Sequence, residues 1–273
     1  PAQRRTRVAL TGAEVSEVHL VLGFHIPGMQ HADTGALDLG AIILGQGDSS
    51  RLQMGVRRGK QIVTDAYAYS FTPRDPGLLV VGATLPLDRT DEALAALAGE
   101  AMRLAREPAA AEELAKAKAI VESDAVYQKE TVQGMARKLG FFETVAGSLE
   151  YEEEYLRQTR ATTHDALREV MARYVRPDNC TISALLPSGT EALANAKTRQ
   201  ALAERLAGII GAAADSKPKR GKTAPKKTAK AKAGSEPSGV LREVLPSGLR
   251  VLVMRDASVP LVAMRGVWLG GLR

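Results

Sequence analysis

The sequence predicts an α+β domain: a mostly antiparallel sheet with helices packed on one face. Three observations carry this. Residues 18–26 alternate with the period of a strand, placing His19, Val21, Gly23 and His25 on one face and Val18, Leu20, Leu22, Phe24 and Ile26 on the other. Residues 61–71 and 78–85 are β-rich runs joined by the polar turn Thr72-Pro73-Arg74-Asp75-Pro76-Gly77, the pattern of antiparallel neighbours. From residue 90 to residue 174 the apolar residues recur at helical spacing instead.

Taken in order, a first β-like run covers residues 5–10 and is separated from the second by Thr11-Gly12-Ala13-Glu14. Pro27-Gly28 breaks the second strand. Asp33 or Thr34 offers a cap for a helix running to about Leu44, because a short polar side chain accepts a hydrogen bond from an amide that lacks an intrahelical partner. That helix ends on Ala41-Ile42-Ile43-Leu44 and stops at Gly45-Gln46-Gly47, where glycine permits positive φ. Asp48 or Ser49 then caps a second helix carrying Arg51, Arg57 and Arg58. After Gly59 the pattern turns to strand. Residues 78–85, LLVVGATL, have so few polar positions that they belong in the middle of the sheet.

Thr90 or Asp91 begins a helix with Leu94, Leu97, Ala101 and Leu104 on one face, ended by Pro108. The next, from about Ala109, turns Leu114, Ala117 and Val121 inward. Residues 131–145, 149–158 and 163–174 are helical, the last capped near Thr163. Residues 179–186 form a final strand closed by Pro187-Ser188-Gly189, and a helix to about Ala212 follows. These elements make one αβ domain over residues 1–214. Residues 215–238 are a Lys/Ala/Pro-rich linker without Leu, Ile, Val or an aromatic residue. Such a segment cannot bury enough apolar surface to offset its ordering entropy and is expected to be disordered. Residues 239–273 hold two strand-like runs, 240–254 around Pro246-Ser247-Gly248 and 261–269, read as the truncated opening hairpin of a following αβ domain.

Composition sets the bounds. Hydrophobic residues make up 45% of the 273 and charged residues 25%, enough to build a core. Aromatics are only 4%, so that core must be Leu, Val, Ile and Ala. Cys180 is the only cysteine, which excludes an intrachain disulfide and a multi-cysteine zinc site. Its setting, Pro177-Asp178-Asn179-Cys180-Thr181-Ile182, reads as a buried strand position rather than a reactive thiol. The net charge of +6 rests on eight basic residues between 216 and 235, where no acidic residue stands; the remainder carries −2. No stretch approaches the roughly 18 apolar residues of a membrane span. The opening Pro1-Ala2-Gln3 reads as an interior cut of a longer chain.

The chemistry-bearing motifs are sparse. The four histidines, His19, His25, His31 and His164, form no H-x-x-E-H or H-x-x-x-H pair. His19 and His25 share a strand face but stand about 20 Å apart at strand rise, too far for one ion, so no metal ligand is assigned. There is no G-x-S-x-G elbow and no Walker loop. The turn at residues 45–50 reads either as an anion site at a helix start or, more simply, as a connection between two helices. Arg57 and Arg58 close the second helix, where its C-terminal dipole favours cations. The Lys-rich segment could hold phosphates non-specifically, but without an aromatic residue for base stacking it reads as a self-repelling spacer rather than a nucleic-acid module.

Several runs together resemble the second αβ domain of the pitrilysin/insulinase-type zinc metallopeptidases. They are His19-Leu-Val-Leu-Gly-Phe-His25, Leu37-Asp-Leu-Gly-Ala-Ile-Ile-Leu44, Gly45-Gln-Gly-Asp-Ser-Ser-Arg-Leu52, Ala68-Tyr-Ser-Phe71 and Tyr174-Val-Arg-Pro-Asp-Asn179. The resemblance spans about residues 5–190, and Val244-Leu-Pro-Ser-Gly-Leu-Arg-Val-Leu-Val253 with Ser258-Val-Pro-Leu261 looks like the opening hairpin of another domain of that family. The family builds a clamshell from two halves, each of two related αβ domains. The resemblance therefore implies the last quarter of a first half, the inter-half linker and the start of a second half. The implied function is that of a fragment of a zinc-dependent endopeptidase, with this part a non-catalytic wall of the substrate chamber.

Zinc in the parent protein is implied by the resemblance; this chain lacks the H-x-x-E-H motif, and no cofactor, catalytic residue or metal ligand is carried over to it. The implied partners are an upstream zinc-binding domain, a downstream second half and a peptide substrate. One residue is carried over as a substrate-binding candidate: Arg57 matches the Arg of a family pair that holds the substrate carbonyl. Seven residues on, where the family's second half has Tyr, stands Thr64, which suits a first-half domain. Family relatives place the parent in a bacterial periplasm or cell envelope, with the cytoplasm left open. Two other readings remain: a non-proteolytic scaffold subunit of the same fold, and a nucleic-acid-binding module using the Lys-rich segment.

Overall fold

The computed structural model describes residues 3–215, 240–247 and 250–254. The chain divides into two compact units, residues 1–219 and 220–273. The first holds strands β1 (Arg7–Ala13), β2 (Val18–Ile26), β3 (Asp65–Phe71), β4 (Gly77–Leu85) and β5 (Cys180–Pro187). Its helices are α1 (Thr34–Gly45), α2 (Thr90–Arg106), α3 (Ala111–Tyr127), α4 (Val132–Phe141), α5 (Tyr151–Ala161), α6 (His164–Tyr174) and α7 (Ala196–Asp215). In the second unit β6 (Val240–Val244) and β7 (Arg250–Met254) pair antiparallel. The expected linker beyond Asp215 and the run 261–269 lie outside the described residues.

The five strands order as β1-β5-β2-β4-β3. Only β1 and β5 run parallel; the other pairings are antiparallel, as the sequence predicts. The core follows from strand alternation. Val18, Leu20, Leu22, Phe24 and Ile26 of β2 are buried, as are Leu79, Val81, Ala83 and Leu85 of β4 and Cys180, Ile182, Ala184 and Leu186 of β5. Among the described residues, the helices pack on this face. Leu94, Leu97, Ala101 and Leu104 of α2 are fully buried, with Leu114 and Ala117 of α3, Leu167 and Met171 of α6 and Leu206 and Ile210 of α7. Cys180 is buried, and burial pushes its thiol up to about 12, so it is a small hydrophobe of the strand.

Several local expectations need correction. The first strand begins at Arg7 and runs through Gly12 and Ala13, because these residues pair in parallel with Leu186 and Pro187. The third strand starts only at Asp65: Gln61 takes a left-handed φ of 54°, and Ile62 and Val63 turn into the core before the ladder begins. Asp33 does not cap α1 with its side chain. Its carboxylate accepts instead from Arg173 and from the Tyr174 hydroxyl, tying the start of α1 to the end of α6. The expected cap at Thr163 forms, and Thr131 caps α4 in the same way, each hydroxyl accepting an amide three residues on.

Candidate functional site

Among the described residues, no helix covers one face of the sheet. Strand pairing puts Asp65, Thr84, His19, Leu185 and Thr11 in one row across it, and Tyr67, Gly82, Val21, Ser183 and Ala9 in the next. A third row runs Tyr69, Val80, Gly23, Thr181 and Arg7. Tyr67 and Tyr69 stack with centroids 6.1 Å apart, and the Tyr67 ring lies over Gly82, whose absent Cβ would meet it at 2.5 Å. Tyr69 and Phe71 are 51% and 59% exposed, an apolar margin on edge strand β3. His19 and His25 stand exposed on this face, the first 3.4 Å from the Thr84 hydroxyl. Among the described residues no group of three or more His, Cys, Asp or Glu is arranged to hold a metal.

The unit between α1 and β3 is a packed connection. Gly45 is pressed against β3: a Cβ there would fall 1.9 Å from the Ala68 nitrogen. Gly47 supplies the positive φ, at 79°. Neither Asp48 nor Ser49 caps the next segment. Asp48 pairs with Arg58 at 3.2 Å, and the Ser49 hydroxyl accepts from Lys116 at 2.7 Å. That segment winds as a π-helix over Leu52–Arg58, with Gln53 buried and donating to the Ala66 carbonyl at 2.7 Å. Arg51 makes two 2.7 Å bonds to Glu113. Burial alone would raise the Glu113 carboxyl, but these bonds and the Ala110 amide outweigh it and hold it below the usual range. The turn at residues 45–50 is thus engaged by the protein's own groups.

Arg57, the substrate-binding candidate, is exposed and donates to Gln53 Oε1 at 3.2 Å. Thr64 is exposed too, and its hydroxyl donates to Glu17 rather than meeting Arg57. His31 Nδ1 accepts the Asp33 amide at 3.1 Å, and His164 Nδ1 lies 2.8 Å from the Ala109 carbonyl, so both serve local structure.

A cavity of about 400 Å³ lies beneath the β3 edge, between α1, α3 and the α4–α5 region. Its lining includes Asp38 of α1, to which the Ser70 hydroxyl donates and the Tyr155 hydroxyl donates at 2.7 Å. Burial raises the Asp38 carboxyl above its usual value, and the two hydroxyls offset this only in part. The aromatic wall is Phe142, Tyr151 and Tyr155, with centroid separations of 5.7 and 6.1 Å along it. Burial and the nearby Asp38 push the Tyr151 phenol up to about 12. At the far side Glu152 holds Lys138 and, at 2.8 Å, Lys129. None of these residues is marked by a motif. The one available signal was Asp38 itself, a lone acid between Leu37 and Leu39 in an otherwise apolar helix.

Residues 2–121 match the family model described as the peptidase M16 inactive domain. A search of curated protein sequences gives no match. Among solved structures, a protease from Helicobacter pylori superposes with a TM-score of 0.62 at 22% identity, covering 68% of this chain and 46% of that one. A peptidase M16 inactive domain from Pseudomonas fluorescens gives 0.62 at 19%, covering 69% and 45%. Complex III2 from Candida albicans gives 0.61 at 15%, covering 74% and 49%. The chain thus spans less than half the length of these three structures. At these identities the likeness is one of fold.

Proposed function

From the premise that residues 2–121 carry the inactive domain of the pitrilysin-type M16 peptidase family, we propose that this domain walls the substrate chamber of a zinc-dependent endopeptidase. It is the non-catalytic part of a zinc-protease-like protein. The single observation that carries the chamber reading is the bare sheet face. A five-stranded sheet with helices on one side only, and Tyr67, Tyr69 and Phe71 on its open margin, leaves a broad surface suited to an extended peptide. The sequence has no H-x-x-E-H motif and the described residues hold no group of three or more His, Cys, Asp or Glu arranged for a metal, so in this reading hydrolysis is assigned to another domain of the parent. Arg57, exposed on its short helix, is the side chain we propose for a peptide carbonyl.

Two measurements test this. The isolated chain, given a fluorogenic peptide and zinc, is expected to show no chelator-sensitive cleavage; such cleavage would overturn the non-catalytic assignment. In the full-length parent, a photo-crosslinking residue at Tyr69 is expected to capture bound peptide, whereas one at Glu112, exposed on the helical side, is not. Equal capture at both positions would remove the chamber reading. The fold shared with complex III2 supports a second reading, a scaffold subunit without proteolysis. An intact parent that binds zinc but cleaves no peptide would favour it.

A further inference from the structure

We propose that the cavity beneath the β3 edge is a binding site for a small organic cation, a primary ammonium or guanidinium carried on an apolar or aromatic stem. The volume of about 400 Å³ lies within the range of small-molecule pockets. The cavity shares Tyr69 with the margin of the bare sheet face, but its test reads Asp38 on the helical side, so its failure would leave the chamber reading untouched.

Charge balance identifies the ligand class. Asp38, Asp124 and Glu152 line the cavity with one cation, Lys138. Lys138 is already committed: it pairs with Glu152 and donates to the Ala125 carbonyl at 3.2 Å. Asp38 has no ion pair among the described residues; its oxygens accept only from the neutral hydroxyls of Ser70 and Tyr155. A carboxylate desolvated beside aromatic rings without a counter-charge is costly, and a cation entering the cavity relieves that cost. Tyr151 and Tyr155 both line the cavity, and the face of an aromatic ring attracts the same charge. The wall already tolerates one ammonium, since Lys138 Nζ lies 5.8 Å from the Phe142 centroid. Glu152 is already answered by Lys138 and Lys129, so an anion would meet the carboxylates of Asp38 and Asp124, and a neutral ligand would leave Asp38 unbalanced.

The test uses the 273-residue chain with benzylamine as the probe and benzyl alcohol as its neutral isostere, read by ligand-induced NMR shifts. Benzylamine is expected to saturate in the millimolar range or tighter, and benzyl alcohol to bind at least fivefold more weakly. Asp38→Asn keeps the hydroxyl partners an acceptor and is expected to weaken benzylamine at least fivefold while leaving benzyl alcohol unchanged. Should that variant fail to fold, Ala125→Met narrows the cavity and is expected to lower the affinity for benzylamine. A capped lysine amide run in parallel separates the two sources of such a cation: saturation by it assigns a peptide side chain, and saturation by benzylamine alone a free amine. Equal binding of amine and alcohol, indifference of a folded Asp38→Asn protein to the change, or no saturation by either cation would overturn the proposal.

Discussion

Asp38 carries a consequence for stability that its neighbours determine. Burial raises its carboxyl above the usual value of 3.8, with the Ser70 and Tyr155 hydroxyls pulling the other way. The folded chain therefore binds this proton more tightly than the unfolded chain. Its contribution to stability is fully present below about 3.8 and is lost as pH rises through the raised folded value. Asp38→Asn should remove that loss, so urea midpoints of variant and parent should diverge in the variant's favour as pH rises above the usual carboxyl value of 3.8. Parallel curves would show that Asp38 is solvated. Glu113 runs the opposite way: its carboxyl is held low by Arg51 against its own burial, so its contribution is present above 4.5 and lost as pH falls. The divergence must therefore be read as a difference between variant and parent, in which the Glu113 contribution cancels.

At the scale of elements, the join between α1 and β3 fixes the geometry of both candidate surfaces. Gly45 lets the helix end touch the strand, with Ala68 on the facing side. Gly45→Ala should cost about 1–3 kcal/mol by overpacking, because the nearest atom is backbone and cannot turn aside. Gly211→Ala, in α7 with nothing within 4 Å of the new methyl, should instead gain about 0.5–1 kcal/mol from helix propensity. Urea unfolding of both variants separates close approach from chain entropy, and equal effects would dismiss the packing account. These elements also show what was legible in the sequence. Strand alternation in β2 and helical periodicity in α2 name their buried faces residue by residue, since burial there is set by local period alone. The start of β3 was not legible, because Gln61 adopts its left-handed turn only to bring Ile62 and Val63 into the core. Caps offered by Asp33, Asp48 and Ser49 were lost to Arg173, Arg58 and Lys116, partners that only the fold brings near. The cavity was invisible for the same reason: its walls come from helices and a strand far apart in sequence.

For the whole molecule, the question is which residues the αβ domain needs. Helix α7 belongs to it. Leu202, Leu206 and Ile210 are buried, and Arg106 of α2 donates to the carbonyls of Ala213 and Ala214 at 3.1 and 2.9 Å. A domain cut before residue 196 would lose that apolar stripe and expose the surface of α2 that it covers. Beyond Asp215 the composition changes: residues 216–235 carry eight basic residues, no acidic one and no large apolar side chain. We expect brief trypsin treatment to cut there first and to leave a resistant fragment ending between residues 215 and 222, identified by mass. Because the core helices and all strands of the five-stranded sheet lie before that point, the fragment should unfold at the same midpoint as the intact chain. A lowered midpoint would show that residues 240–254 contribute to the fold. Early cleavage at Arg103 or Arg106 within α2 would show that the helical face is less firmly packed than its buried leucines require.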